Sequence, residues 1–351
     1  MPRASIALSA TVLLLLAGCA GGEPEAADSA RPTADPEVTT ATPGPPAGGE
    51  LSAYGLALLA APVEATHVTI TDYDAIRARL GVPDLSSQDL MTDRLEFWRA
   101  AEASSVLLTD GLLREENSRY DLTYDFTQDD VDAEVRWTGP GTSGFLLALR
   151  PDLDLDLVQT AIDEDAPELG GALLDRATAT VRSGDPGGAV WATSSHSATA
   201  RVADVAAESL IVRTGCVPFN DALGVDATVE DQEALLAAHD VEGLLDVEAV
   251  AIAFTGQSAS VRLAYPVGLG GAEVQADLEA RIALAQDWPT TESIGFSDGF
   301  GEGVVDGVDG EIGELSYAVT NPNAAAALAL ADLVPLGVCN QVEWLEEPTG
   351  L

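Results

Sequence analysis

From position 67 the chain alternates. His67-Val-Thr-Ile-Thr71 sends Val68 and Ile70 to one face, the period-two pattern of a half-buried strand. Asp72 or Asp74 then caps a short amphipathic helix, Ala75 to Leu80, which Gly81 and Pro83 stop. Ser86 or Ser87 opens a second helix, Gln88 to Ala103. Leu90, Met91, Leu95, Trp98 and Ala101 recur along it at helical spacing, so Trp98 is expected in the core. Strand patterns return at Arg119–Tyr124, Val131–Thr138, Phe145–Arg150 and Ala177–Arg182. Asp156, with Gln159 three residues on, forms a capping box for a helix through Ile162.

The second half repeats this plan. Val247 to Gly256 lies over Asp132 to Gly139, both ending in aromatic-Thr-Gly. Each is followed by a second strand that runs to a proline, Phe145 to Pro151 and Ser260 to Pro266. Each then enters a helix, Asp156 to Ile162 and Ala272 to Gln286, and later a further strand, Ala177 to Arg182 and Glu314 to Thr320. A ββαβ unit used twice accounts for the pattern. It predicts an α+β fold, antiparallel sheets with helices on one face. A helix from Val229 to His239, opened by a Thr228-x-x-Asp231 box, connects the halves.

The start of the chain carries a different kind of signal. Met1-Pro2-Arg3 is a short positive region, and Ile6 to Ala17 is an apolar run too short for a permanent transmembrane helix. The run ends in Leu16-Ala17-Gly18-Cys19, which resembles the lipobox of bacterial lipoproteins. That resemblance implies a lipoprotein signal peptide over 1–18, cleavage before Cys19 and acylation of its thiol with palmitate-like chains. Two or more acyl chains hold a protein stably on a bilayer, at about 0.8 kcal/mol per buried methylene. The expected location is therefore the outer face of the cell membrane. Residues 19–50 comprise the lipidated cysteine and a Pro, Gly, Thr and acid tether with almost nothing to bury. Stretched toward polyproline II, such a tether reaches about 90 Å. The globular part divides into an N-terminal α+β half, 51–215, and a C-terminal α+β half, 216–351.

Composition narrows the function. The chain has 351 residues, 58 acidic and 16 basic; the basic ones are all arginine, and the formal net charge is −42. Such a surface repels phosphate backbones, so nucleic acid is excluded as a partner. Once Cys19 is lipidated, Cys216 and Cys339 remain, and an even pair in an exported protein reads as a disulfide. Without lysine, neither a Walker loop nor a Ser-x-x-Lys pair is possible, and no cofactor is assigned. His67 lies in a strand, His196 in a serine-rich loop and His239 near a helix end; none marks a triad, and no catalytic residue is assigned.

No metal site is assigned either. Asp152, Asp154, Asp156 and Asp163 have EF-hand spacing, but the required glycine is Leu157, so these carboxylates read as caps. The acidic, Gly-rich stretch 298–311 reads as a flexible hairpin between strands, with calcium binding there left open.

The set Thr71-Asp72-Tyr73, Phe126-Thr-Gln-Asp-Asp-Val-Asp132, Leu169-Gly-Gly-Ala172, Gly215-Cys216 and Asn321-Pro322 with a late cysteine resembles an uncharacterised group of actinobacterial exported proteins. The resemblance covers most of the chain after residue 60 and implies no activity. The expectation is a membrane-anchored lipoprotein that binds or scaffolds without catalysis, partnered by an envelope protein, glycan or lipid. The alternatives are the solute-binding lipoprotein of a transporter and an extracellular hydrolase.

Overall fold

The strand expected at 67–71 forms as β1 (His67–Asp72) in a computed structural model that describes residues 53–184, 188–191, 197–203, 205–290 and 294–345. Asp72 then caps α2 (Tyr73–Leu80) by accepting from the Ala75 amide, and Gly81, at φ +81°, ends it in the left-handed region. The rest of the first half gives β2 (Val131–Gly139), β3 (Thr142–Leu149), β4 (Leu173–Asp175) and β5 (Thr180–Arg182). By strand order the second half starts earlier than the expected boundary at 216, with β6 (Ser209–Thr214), and adds β7 (Ala249–Thr255), β8 (Ser258–Ala264), β9 (Phe300–Asp309) and β10 (Ile312–Val319). These strands form one antiparallel sheet in the order β4-β5-β3-β2-β1-β6-β7-β8-β10-β9. With its helices the fold is α+β.

That order is the same from either edge inward, so β1 and β6 form a central seam between two five-strand units. Their turns fix the equivalence. Gly139 pairs with Thr142 across one hairpin, and Thr255 with Ser258 across the other. Gly139 thus corresponds to Thr255. Leu155, which opens α5 (Leu155–Asp163), corresponds to Gly271, which opens α9 (Gly271–Gln286), at the same offset of 116 residues.

The aromatic-Thr-Gly overlay is one residue out of step. Trp137 packs with Ala249, Ala251 and Ala253 on one sheet face, whereas Phe254 packs with Val250 and Ile252 on the other. A one-residue slip in a strand exchanges its faces, which local similarity at a turn does not reveal.

One face carries most of the helices. Over the first half lie α2, α3 (Met91–Ser104), α4 (Asn117–Tyr124) and α5, packed around Tyr73, Trp98, Tyr120, Phe126 and Leu147. Over the second lie α7 (Phe219–Leu223), α8 (Val229–Ala238), α9, α10 (Phe296–Gly299) and α11 (Pro322–Leu330), around Phe254, Leu278, Leu315 and Tyr317. The opposite face takes α1 (Ala53–Ala60) and α6 (Ser197–Ala203), which cover Val68, Val135, Val212 and the small β7 alanines.

Several local expectations change. Arg119–Tyr124 is helical, as α4: Tyr120 and Tyr124, four apart, are buried together while Leu122 is exposed. A short alternating string fits both periods, and packing against Phe126 decides. Helix α3 starts at Met91, later than expected, because the Asp89 carboxylate ties the Ser86 amide into a turn. Its buried face carries Arg94, Phe97, Trp98 and Ala101, leaving Leu90, Met91 and Leu95 outside.

Asp154, not Asp156, caps α5, and Gln159 bonds forward to Asp163. The 298–311 stretch is mostly β9 itself, turning into β10 at Gly310. The Thr228–Asp231 box opens α8 as expected, but α8 lies between β6 and β7, inside the second unit rather than connecting the halves.

Two buried arginines organise the layers. Arg77 on α2 donates to the Asp129 and Val131 carbonyls and pairs with Asp132, which explains the acidic Phe126–Asp132 string as an internal fastening. Arg281 on α9 is fully buried and bonds Asp277 and the carbonyls of Leu245, Leu336 and Val338. The Cys216–Cys339 disulfide forms beside the last of these, with Cα atoms 5.1 Å apart.

Candidate functional site

Each helical layer covers the outer strands of its own half, so a cleft remains where the layers meet over the seam. Its floor comes from directly opposed residues of β1 and β6: Thr69 faces Ile211, and His67 faces Arg213. One wall is the loop Leu108–Asp110 after α3; the other is the end of α11, Leu330 and Asp332. Arg136 and Thr138 of β2 extend the floor, and the cleft holds about 470 Å³. That volume falls within the ~300–1,000 Å³ of ordinary ligand sites.

Three charged groups converge at one end. Asp332 adopts φ +57° just past α11, a left-handed conformation that Asp tolerates, and this turns its carboxylate onto the seam. It pairs with Arg213 and lies 3.0 Å from Nε2 of His67. Burial would raise the Asp332 carboxyl. The hydrogen bond from His67 and the charges of Arg213 and His67 outweigh burial and hold it below the ordinary carboxylate range. Nε2 of His67 also lies 2.6 Å from Nη1 of Arg213, while Nδ1 lies 3.1 Å from the Thr66 hydroxyl. A neutral ring accepts from Arg213 through Nε2; a protonated ring donates to Asp332. Arg213 Nε donates to the Cys216 carbonyl, so the disulfide region braces this end.

The other end rests on a buried carboxylate. Glu134 is fully buried and accepts from the Leu112 amide at 2.8 Å and from Nε of Arg136 at 2.6 Å. Tyr73 donates toward it, and also contacts the Thr109 hydroxyl at 2.8 Å. These bonds fix the 108–112 loop above the cleft. Burial raises the Glu134 carboxyl above its ordinary value near 4.5; Arg136, Leu112 and Tyr73 offset part of that rise. The folded state therefore holds this proton more tightly than the unfolded chain. The contribution of Glu134 to stability grows as pH falls toward the unfolded value and is lost as pH rises through the folded one. Wild type should accordingly gain stability over Glu134→Gln between about pH 7 and about pH 5. Melting both proteins at the two values checks this; a gap that narrows on acidification contradicts it.

The residues singled out in the sequence scatter. Cys216 and Cys339 come together, and His67 enters the cleft. His239 pairs instead with Asp287 at 3.0 Å beside α8. Cys19 and His196 lie outside the described residues. Asp152 pairs with Arg150, Asp156 with Arg176, and Asp154 caps α5. Among the described residues no group of three or more His, Cys, Asp or Glu is placed to hold a metal ion, and no helix is long and apolar enough to cross a membrane.

Two strings that fit catalytic or cofactor patterns have the wrong surroundings. Gly295-Phe-Ser-Asp-Gly299 matches the nucleophile-elbow spacing, but Ser297 sits in the one-turn α10 that feeds into β9. An elbow requires a strand before the serine and a helix after it. Gly139-Pro-Gly-Thr-Ser-Gly144 matches a dinucleotide fingerprint, yet it is the β2–β3 hairpin, with no helix N-terminus to meet a pyrophosphate.

Arg136, Arg213 and Asp332 escaped the sequence reading. A usable signal existed for Arg213: an arginine directly after the apolar run 210–212 of one strand is expensive unless a partner or ligand meets it. Arg136 alternates with apolar residues beside Asp132, Glu134 and Thr138 and reads as an ordinary polar-face residue. Asp332 carried no signal either. Comparison of the chain with described protein families, curated proteins and solved structures finds no match.

Proposed function

We propose that this chain is a lipoprotein anchored through Cys19 at the outer face of the cell membrane, whose folded body binds a ligand in the cleft over the β1–β6 seam without transforming it. The anchor rests on the lipobox-type ending Leu16–Cys19 and the tether behind it. The binding reading is carried by one observation. In a chain of net charge −42, His67 and Arg136 line one open cleft, and Arg213 backs its end through His67 and Asp332. The lining supplies neither serine nor cysteine, and Nε2 of His67 is engaged by Asp332 and Arg213 rather than by a lining threonine, which favours binding over covalent hydrolysis. A body on a tether samples a shell above the bilayer, where a high effective concentration favours weak partners.

Cys19→Ala should abolish incorporation of labelled palmitate and release the protein from the membrane fraction. A variant that stays membrane-bound sinks the anchor. For the cleft, envelope extract is offered to wild type and to Thr69→Trp, which fills the floor, beside a broad hydrolase screen. A ligand or partner retained by wild type and lost by the variant supports binding. Turnover lost in His67→Ala, with nothing retained, assigns the cleft to an enzyme.

A further inference from the structure

Resting on the cleft's being a binding site, we infer that its ligand is a small carboxylate with an apolar body, and that Arg136 is the residue that selects it. The guanidinium of Arg136 is oriented from behind. Its Nε is committed at 2.6 Å to Glu134, which is itself fully buried and further fixed by the Leu112 amide. Its terminal nitrogens make no hydrogen bond among the described residues, and its side chain is 42% exposed into the cleft. A planar fork held by its inner nitrogen presents two parallel N–H groups, the geometry that meets a carboxylate bidentately. The orientation is established before binding, so little ordering entropy opposes association.

The surroundings determine the rest of the ligand. Arg213, the second arginine, is occupied by Asp332, so the site offers one open anion position, suited to a monocarboxylate. Leu108, Ile211 and Leu330 line the space alongside and suit an aliphatic or aromatic body. Asp110, exposed on the rim, opposes an anion at longer range and limits affinity. With 58 acidic residues, a rim carboxylate is expected anywhere; a braced guanidinium without an anion on its fork is the informative feature.

The test is calorimetric titration of the full chain carrying Cys19→Ala with octanoate, its neutral isostere octanamide, and inorganic phosphate. Octanoate should bind at least about tenfold more tightly than octanamide, as a charge-assisted hydrogen-bonded pair implies. Arg136→Gln should weaken octanoate by about 10–100-fold and leave octanamide unchanged. Arg136→Lys keeps a cation beside Glu134, guarding against misfolding, and should still lose most of the preference because the fork is gone. Asp110→Asn should tighten octanoate a few-fold. Equal binding of octanoate and octanamide, or binding indifferent to both Arg136 variants, overturns the carboxylate assignment while leaving the cleft a binding site. Phosphate matching octanoate overturns the selectivity. Failure of octanoate to bind overturns the inference, and the Thr69→Trp comparison then judges the cleft separately.

Discussion

Arg281→Ala is expected to lower folding stability by about 3–5 kcal/mol, the range for breaking one side of a buried ion pair. Arg281 is fully buried and donates to Asp277 and to the carbonyls of Leu245, Leu336 and Val338, bonds that alanine cannot make. Asp277 would remain, held by the Leu245 amide and the Tyr265 hydroxyl but without its counter-charge. At about 2–4 °C per kcal/mol for a domain of this class, the melting point should fall on the order of 10 °C. Denaturant unfolding of wild type and variant reads the difference. A companion double variant, Arg281→Met with Asp277→Leu, should lose less than Arg281→Ala alone, since no buried charge is stranded. A loss below about 1 kcal/mol for Arg281→Ala would show that solvent reaches the site.

Reducing Cys216–Cys339 should cost a comparable amount. The bridge spans 123 positions in sequence, for which chain entropy gives about 5 kcal/mol as an upper figure, and measured values cluster near 2–4 kcal/mol. The backbone around it is paired independently: Val217 donates to Gly337, and Cys339 donates to Val217. The native strand contact should therefore persist after reduction, and the loss should come mainly from a freer unfolded chain. Unfolding of oxidised protein and of Cys216→Ser/Cys339→Ser tests this, after mass spectrometry confirms that denatured, unreduced protein carries no free thiol at either position. Combined with Arg281→Ala, the effects should fall short of additive, because both fasten the 335–339 segment. Strict additivity would show that the two act on separate regions.

These two fastenings differ in how far the sequence disclosed them. With Cys19 set aside as the expected lipidation site, two cysteines leave one pairing, so the bridge was expected from counting. Arg281 looks in sequence like any surface residue of an amphipathic helix. Its burial depends on the 245 and 336–338 segments arriving from elsewhere.

The same division runs through the whole molecule. Alternation and caps, which act within a few residues, fixed β1, α2, α8 and α9 close to their observed limits, and with them the α+β class and the duplicated plan. Charge and composition need no structure to be read, and 58 acidic against 16 basic residues is where the expectation against nucleic acid came from. Where two periods fitted one string, as at Arg119–Tyr124, the partner surface chose between them. The strand order, the register that places Trp137 and Phe254 on opposite faces, and the positions of α1 and α6 follow from pairing between distant segments. The cleft belongs entirely to this second class. His67, Arg136, Arg213 and Asp332 come from four separate stretches of chain, and no local context, not even the apolar run before Arg213, tells which of the others each one meets. They meet because two copies of one unit join edge to edge through β1 and β6, leaving their helical layers apart at the seam. Local sequence carries the energies of turns, helices and strands. It does not carry the distance between residues brought together by sheet pairing, and that distance creates the site.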